Sequence, residues 1–220
     1  MDSTTNNGTE TTPQQPSQWG AAAQSLYAEW KSTIFTLTIT AIVVLSVVLY
    51  RATKEGNEAK ASRMLGEART LQALQAIQTQ YPSTSAARLS ALQSAKARYD
   101  QGDFAGAQTA YREFLSQNPS HPMAGIAELG VIECTEGMGE FEKALTAYTA
   151  FATKNPGHFL AAPATFGKAR CLQELKRYPE ARAIYEDYLA ANPKSYWRND
   201  VDEALKQLDR ESRKPAVLKK

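Results

Sequence analysis

Gly102–Pro119 reads GDFAGAQTAYREFLSQNP, Gly139–Pro156 reads GEFEKALTAYTAFATKNP, and Lys176–Pro193 reads KRYPEARAIYEDYLAANP. The three stretches lie 37 residues apart and agree position by position: Phe104, Phe141 and Tyr178; Ala107, Ala144 and Ala181; Tyr111, Tyr148 and Tyr185; Phe114, Phe151 and Tyr188. Pro82 extends the proline series one period upstream of Pro119, Pro156 and Pro193, and His121 and His158 obey the same interval. A fixed period of this size marks stacked supersecondary units. Inside the unit, Phe104, Ala107, Tyr111 and Phe114 follow i, i+3, i+7, i+10, which is one face of a helix. The alanine between the aromatics lets a neighbouring helix come close, and Asn-Pro ends the helix by removing a donor and restricting the residue before it. Upstream of each aromatic helix a second helical stretch is expected, such as Ala86 to Asp100, joined by a tight turn such as Gln101-Gly102-Asp103. Each unit therefore reads as an αα-hairpin, and the fold class as all-α.

The pattern resembles the tetratricopeptide repeat. GDF at 102–104 with Ala107, Tyr111, Phe114 and Pro119 matches that family's Gly-Asp-Tyr, Ala, aromatic and Pro positions, as does GEF at 139–141 with its followers; KRY at 176–178 departs at its first two residues. The first helices fit less well, with a small residue at Ala95 and Ala169 but Ile132 between them, and the period is three longer than the usual 34. Longer connecting turns are therefore expected. The resemblance covers about residues 67–196 and implies a helical solenoid over 71–196.

The ends complete the array. Leu71, Leu74, Ile77 and Pro82 continue the second-helix pattern as a half-repeat, giving about three and a half units. Trp197, Val201, Ala204, Leu205 and Leu208 form one face of a capping helix over 197–213. Residues 51–70 alternate Lys, Glu, Ala and Arg and read as a helical stalk, with Gly56 and Gly66 as its weak points.

Ser32–Tyr50, STIFTLTITAIVVLSVVLY, carries no charge and is bracketed by Lys31 and Arg51. Nineteen helical residues reach about 28 Å, close to the thickness of a bilayer's hydrocarbon core. With Trp30 and Tyr50 at its ends, the segment 30–50 reads as one transmembrane helix. Its six Ser and Thr side chains can bond back to the preceding turn. The apolar run starts too late for a cleaved signal peptide and has no polar stripe for an interfacial or core helix. Residues 1–29 form a polar tail expected to be disordered, with a sequon at Asn7-Gly8-Thr9. At the other end, 214–220 with Lys214, Lys219 and Lys220 reads as a solvated flexible tail rather than a lipid-binding patch.

Net charge is +2 over 220 residues: −2 before residue 51 and +4 after it. So mild an excess excludes a dedicated nucleic-acid binder. Two cysteines cannot build a disulfide scaffold, and two histidines without CxxC or HExxH leave no zinc site. Cys134 and Cys171 share one register in consecutive first helices, too far apart to be bridged, and read as small packing residues. His121 and His158 fall in inter-repeat turns and are assigned to helix starts rather than metal binding. No nucleophile triad, phosphate loop or carboxylate pair stands out, so no catalytic, cofactor or metal site is expected and the chain is read as a non-enzyme.

What remains is binding. The tetratricopeptide resemblance implies a concave face lined by first helices, on which Lys96, Glu133 and Arg170 recur every 37 residues, with Tyr99 and Gln173 nearby. These five residues are the candidate protein-partner contacts; the alternative is that the three charges merely neutralise one another. The layout of short tail, one span and small repeat domain is similar to the bacterial ancillary SecYEG translocon subunits. That resemblance implies an inner-membrane protein with periplasmic repeats, working beside secretion and envelope chaperones. The positive-inside rule points the other way, since Arg51, Lys54, Lys60 and Arg63 follow the span and only Lys31 precedes it. The competing reading is a structural subunit held in a membrane complex, with integral partners, through its span and stalk.

Overall fold

The computed structural model describes residues 18–154 and 157–213, with side chains from Trp30 onward apart from Ser32. The expected disorder of residues 1–17, the Asn7 sequon, the Asn155-Pro156 pair and the tail 214–220 lie outside the described residues. The described backbone is helical throughout, with no strand: α1 (Gln18–Glu67), α2 (Leu71–Gln80), α3 (Ser85–Asp100), α4 (Phe104–Gln117), α5 (Ala124–Gly137), α6 (Phe141–Lys154), α7 (Ala161–Glu174), α8 (Tyr178–Ala191) and α9 (Arg198–Ser212). Two compact units result, residues 1–56 and 57–220.

The first unit holds the apolar part of α1. Helical backbone begins at Gln18, within the stretch 1–29. From Thr33 to Tyr50 every side chain is exposed, including Ile34, Phe35, Val43, Leu45 and Leu49. Thr36, Thr38, Thr40 and Ser46 each donate to a carbonyl of the preceding turn at 2.8–2.9 Å, which satisfies the hydroxyls without an outside partner. This is a helix long and apolar enough to cross a membrane.

The second unit stacks helix pairs. Residues 57–67 of α1 pair with α2 as the first: Ala61 is fully buried and packs with Met64 and Leu65 against Ile77, Ala86 and Ala87. The half-repeat read from Leu71, Leu74 and Ile77 thus has its own first helix, supplied by the end of the stretch expected as a stalk. The pairs α3–α4, α5–α6 and α7–α8 follow, and α9 closes the stack with Val201 and Leu208 buried against Ala169, Tyr185, Leu172 and Ala181.

Turn chemistry repeats with the helices. The short turn within each of the three later pairs has one left-handed residue: Gly102 at φ 80°, Gly139 at φ 79° and Lys176 at φ 64°. Glycine has no Cβ to clash there, whereas lysine does. At the longer turns, Asn118 and Asn192 each donate from Nδ2 to a carbonyl four residues back, on Phe114 and Tyr188. The entry to the next helix is then braced from one register position, as a true N-cap only at Thr84. Thr84 Oγ1 accepts from the Ala87 N–H, His121 Nδ1 from Met123, His158 Nδ1 from Leu160 and Ser195 Oγ from Trp197, all at 3.1–3.2 Å. Both histidines thus lie in the turn ahead of a helix and accept from the N–H of its N-cap residue, while the first orphan N–H groups of α5 and α7 receive no side-chain cap.

Close approach between pairs rests on glycines that the sequence pattern did not single out. A Cβ on Gly130 would lie 2.6 Å from the Tyr111 ring, and one on Gly167 2.3 Å from the Tyr148 ring. Tyr111 and Tyr148 therefore lie against the backbone of the following first helix. Gly130 and Gly167 are 37 residues apart, so the interval itself was the signal that could have found them.

Candidate partner-binding site on the first helices

The five expected contact residues come from α3 (Lys96, Tyr99), α5 (Glu133) and α7 (Arg170, Gln173), and the fold brings most of them into one electrostatic cluster. Its centre is Glu136, one turn after Glu133. Arg170 donates to both Glu136 carboxylate oxygens through Nε and Nη2 at 2.8 Å each, and the Tyr148 hydroxyl donates to the same carboxylate at 2.5 Å. Glu136 is 14% exposed and Arg170 47%. Burial alone would lower the Arg170 pKa, but hydrogen bonds to Glu136 and its charge outweigh that and raise it. The Tyr148 phenol is pushed up first by burial and then by the Glu136 charge.

Glu136 was legible in principle. Tyr99 and Gln173 are two periods apart, and the position midway is 136. The sequence reading followed charged residues in the register of Lys96 and left the intermediate member of the neighbouring register unread.

The other members have separate attachments. Lys96 forms an ion pair with Asp100 in the same helix and sits 5.4 Å from the centre of the Tyr99 ring. Tyr99 packs edge-on against Phe104 at 5.2 Å. Gln173 is buried and donates to Glu211 of α9 at 2.8 Å, tying the cap to α7. Glu133 differs: its carboxyl is pushed up chiefly by burial, with Arg170 and Lys96 pulling it down and Glu136 pushing it further up. Among the described residues it makes no hydrogen bond and no ion pair. The three recurring charges act on one another, since Arg170 and Lys96 both favour the Glu133 charge, while the two cations take their ion pairs elsewhere. Arg170 turns to Glu136 and Lys96 to Asp100, which leaves Glu133 as the one of the three charges without an ion pair among the described residues.

Cys134 and Cys171, next to this cluster in sequence, are free and fully buried, and burial pushes their thiols up to about 11 and about 12. They pack rather than react. No group of three or more His, Cys, Asp or Glu side chains among the described residues is arranged to hold a metal ion.

On the opposite side, grooves recur between consecutive second helices. The one between α4 and α6 has a volume of about 350 Å³ and is lined by Leu115, Val131, Ile132, Ala147 and Phe151, with Arg112, Glu128 and Lys154 also contributing. The sequence reading did not identify it, because its wall is shared between two repeats and no single helix face reveals it.

Comparison with known proteins accords with this architecture. A crystal structure of a tetratricopeptide repeat protein from Parabacteroides merdae ATCC 43184 superposes with a TM-score of 0.51 at 19% identity, covering 73% of this chain and 63% of that one. The chain therefore spans under two thirds of that neighbour, and the likeness is one of fold. No curated protein matches the sequence. The family described as tetratricopeptide repeat-like domain matches residues 24–209, taking in every helix pair above. With 37-residue helix pairs, left-handed turn residues and aromatic-on-glycine docking in place, the chain belongs to the tetratricopeptide repeat-like domain family.

Proposed function

We propose that this chain is a single-pass membrane protein, anchored by 30–50 in a bacterial inner membrane, that displays its repeats on the periplasmic side as a non-catalytic platform for protein partners. Its work is accessory to protein secretion or to envelope chaperones, as its layout, similar to the ancillary SecYEG translocon subunits, suggests. The family supports the scaffold role; the exposed apolar length of α1 supports the anchor.

Partners are held through Lys96, Tyr99, Glu133 and Arg170, with Glu136 fixing the Arg170 guanidinium; Gln173, expected among these contacts, is buried and ties the cap to α7 instead. The observation that carries this reading is Glu133, a half-buried carboxylate without a donor, flanked by two cations that are each paired elsewhere. A partly desolvated carboxylate gains from a partner that supplies the donor its own chain does not. The segment that fits presents a backbone N–H or a basic side chain to Glu133 and an acceptor to the exposed edge of Lys96. Affinity purification of the full chain from detergent-solubilised membranes tests it. Glu133→Gln removes the charge at constant shape and should strip the soluble partners while the circular dichroism stays unchanged. An identical partner set for the variant would refute the site.

A further inference from the structure

The second unit has two edges, because antiparallel helices joined by short turns send alternate turns to opposite ends. One edge carries the turns within pairs, 68–70, 101–103, 138–140 and 175–177; the other carries the described turn residues between pairs, 81–84, 118–123, 157–160 and 192–197. Their chemistry differs. The within-pair edge holds Asp103 and Glu140, flanked by Glu67, Asp100 and Glu174, beside Arg69, Lys176 and Arg177. The between-pair turns contain no carboxylate, and their charged residue is Lys194, with Lys154 and Arg198 flanking.

The between-pair edge also shows aromatic surface. Phe159 is 68% and Tyr196 87% exposed. They share one register position, 37 residues apart, with exposed Pro122 one period before. In each turn the following residue is the inward anchor, Leu160 at 9% exposure and Trp197 stacked edge-on near Phe166. A lone exposed apolar residue needs no account, but a repeated one in turns that themselves carry no carboxylate does.

The chain enters the unit at this same edge. The Glu58 carboxylate accepts from the Ser85 and Ala86 N–H groups at 2.9 and 3.3 Å, fixing the start of the 57–67 helix beside the turn 81–84. The carboxylates close to these turns are engaged or sit within the helices: Glu58 holds the Ser85 and Ala86 N–H groups, Glu128 pairs with Lys154 at 3.5 Å, Asp202 with Arg198 at 3.9 Å, and Asp200 lies in the first turn of α9. Asn57 follows Tyr50 by seven residues, whose covalent reach is at most about 24 Å whatever their path.

We propose that the between-pair edge is a membrane-interface contact, in which Phe159 and Tyr196 seat in the headgroup region of a phospholipid bilayer and Lys194 faces its phosphates. Aromatic rings favour that zone, carboxylates do not, and the covalent tether keeps Asn57, where the chain joins this edge, within about 24 Å of Tyr50. The inference rests on the single-pass reading above.

The test uses the full chain in nanodiscs of phosphatidylcholine and phosphatidylglycerol, with or without bromine on the acyl chains. Trp19, Trp30 and Trp197 are replaced by Phe, and one reporter is introduced at a time: Phe159→Trp, Tyr196→Trp, or Met138→Trp on the within-pair edge. A fourth sample retains Trp30 alone. The Phe159→Trp and Tyr196→Trp reporters should lose about half of their emission to the brominated lipid, and the Met138→Trp reporter almost none. If Trp30 is quenched while both edge reporters respond no more than Met138→Trp, the edge proposal is overturned and the span stands. If Trp30 itself is not quenched, the single-pass reading falls and this proposal with it.

Discussion

Adding one methyl group at Gly167 and at Gly66 should change stability in opposite directions. At Gly167 the new Cβ would lie 2.3–2.7 Å from three ring carbons of Tyr148, closer than carbon atoms tolerate. The ring cannot swing aside, because Tyr148 is fully buried and its hydroxyl is held by Glu136 at 2.5 Å. The helices α6 and α7 must separate instead, and overpacking of that kind costs about 1–3 kcal/mol. Alanine's helix propensity returns up to about 1 kcal/mol. The net expectation for Gly167→Ala is about 1–2 kcal/mol of destabilisation, or about 2–8 °C in Tm for a domain of this size. At Gly66 a Cβ meets nothing within 4 Å, so Gly66→Ala keeps the propensity gain and should raise Tm by about 2–4 °C. Thermal melts of the detergent-solubilised chain, followed by far-UV circular dichroism, measure both. Tyr148→Leu supplies the internal control: the first repeat carries Leu74 at the corresponding position and Gln93, not glycine, opposite Gly130 and Gly167. In that background the Gly167→Ala penalty should shrink by at least about 1 kcal/mol. A Gly167→Ala protein as stable as Gly66→Ala would refute the claim that the tyrosine ring sets the separation of the pairs.

Two further outcomes follow from single residues. Glu133 has its pKa raised, mainly by burial, so the folded state binds its proton more tightly than the unfolded chain. Stability should therefore fall as pH rises from the ordinary Glu value of 4.5 through the raised folded one, and Glu133→Gln should flatten this segment of a urea-midpoint-versus-pH profile; an unchanged slope would contradict the assignment. Lys176 occupies with φ 64° the turn position that Gly102 and Gly139 fill elsewhere. Lys176→Gly should relieve about 1 kcal/mol of left-handed strain, partly offset by glycine's unfolded-state entropy and by loss of the cation placed 5.8 Å from the Tyr178 ring. A net gain of about 0.5 kcal/mol in chemical denaturation is expected, and a loss would show that the turn is not strained.

The repeat was legible because its determinants are local and recur. Phe104, Ala107, Tyr111 and Phe114 declare a helix face through spacing alone, and Asn-Pro marks where each helix stops. The capping helix was readable for the same reason, through Trp197, Val201, Ala204, Leu205 and Leu208. The upstream half-repeat was read only in part. Ala61, Met64 and Leu65 lie in a charged, alanine-rich stretch whose burial depends on the neighbours Ile77, Ala86 and Ala87, so nothing local distinguished core from stalk.

In the binding region, sequence placed Lys96, Glu133 and Arg170 on equivalent positions, since equal spacing in equal units gives equal placement. It could not say with whom each charge pairs. Arg170 reaches across to Glu136, 34 residues earlier, Tyr148 threads its hydroxyl to the same carboxylate from a second helix, and Gln173 is claimed by Glu211 of the cap. Those choices depend on distances of an ångström or two between helices, set by whether a ring can lie on a glycine. Spacing along a chain thus determined the repeating unit and its faces. Which carboxylate is satisfied and which is left without a donor was decided only by how closely the packed helices approach, because hydrogen bonds and desolvation act over a few ångströms in space and are indifferent to separation in sequence.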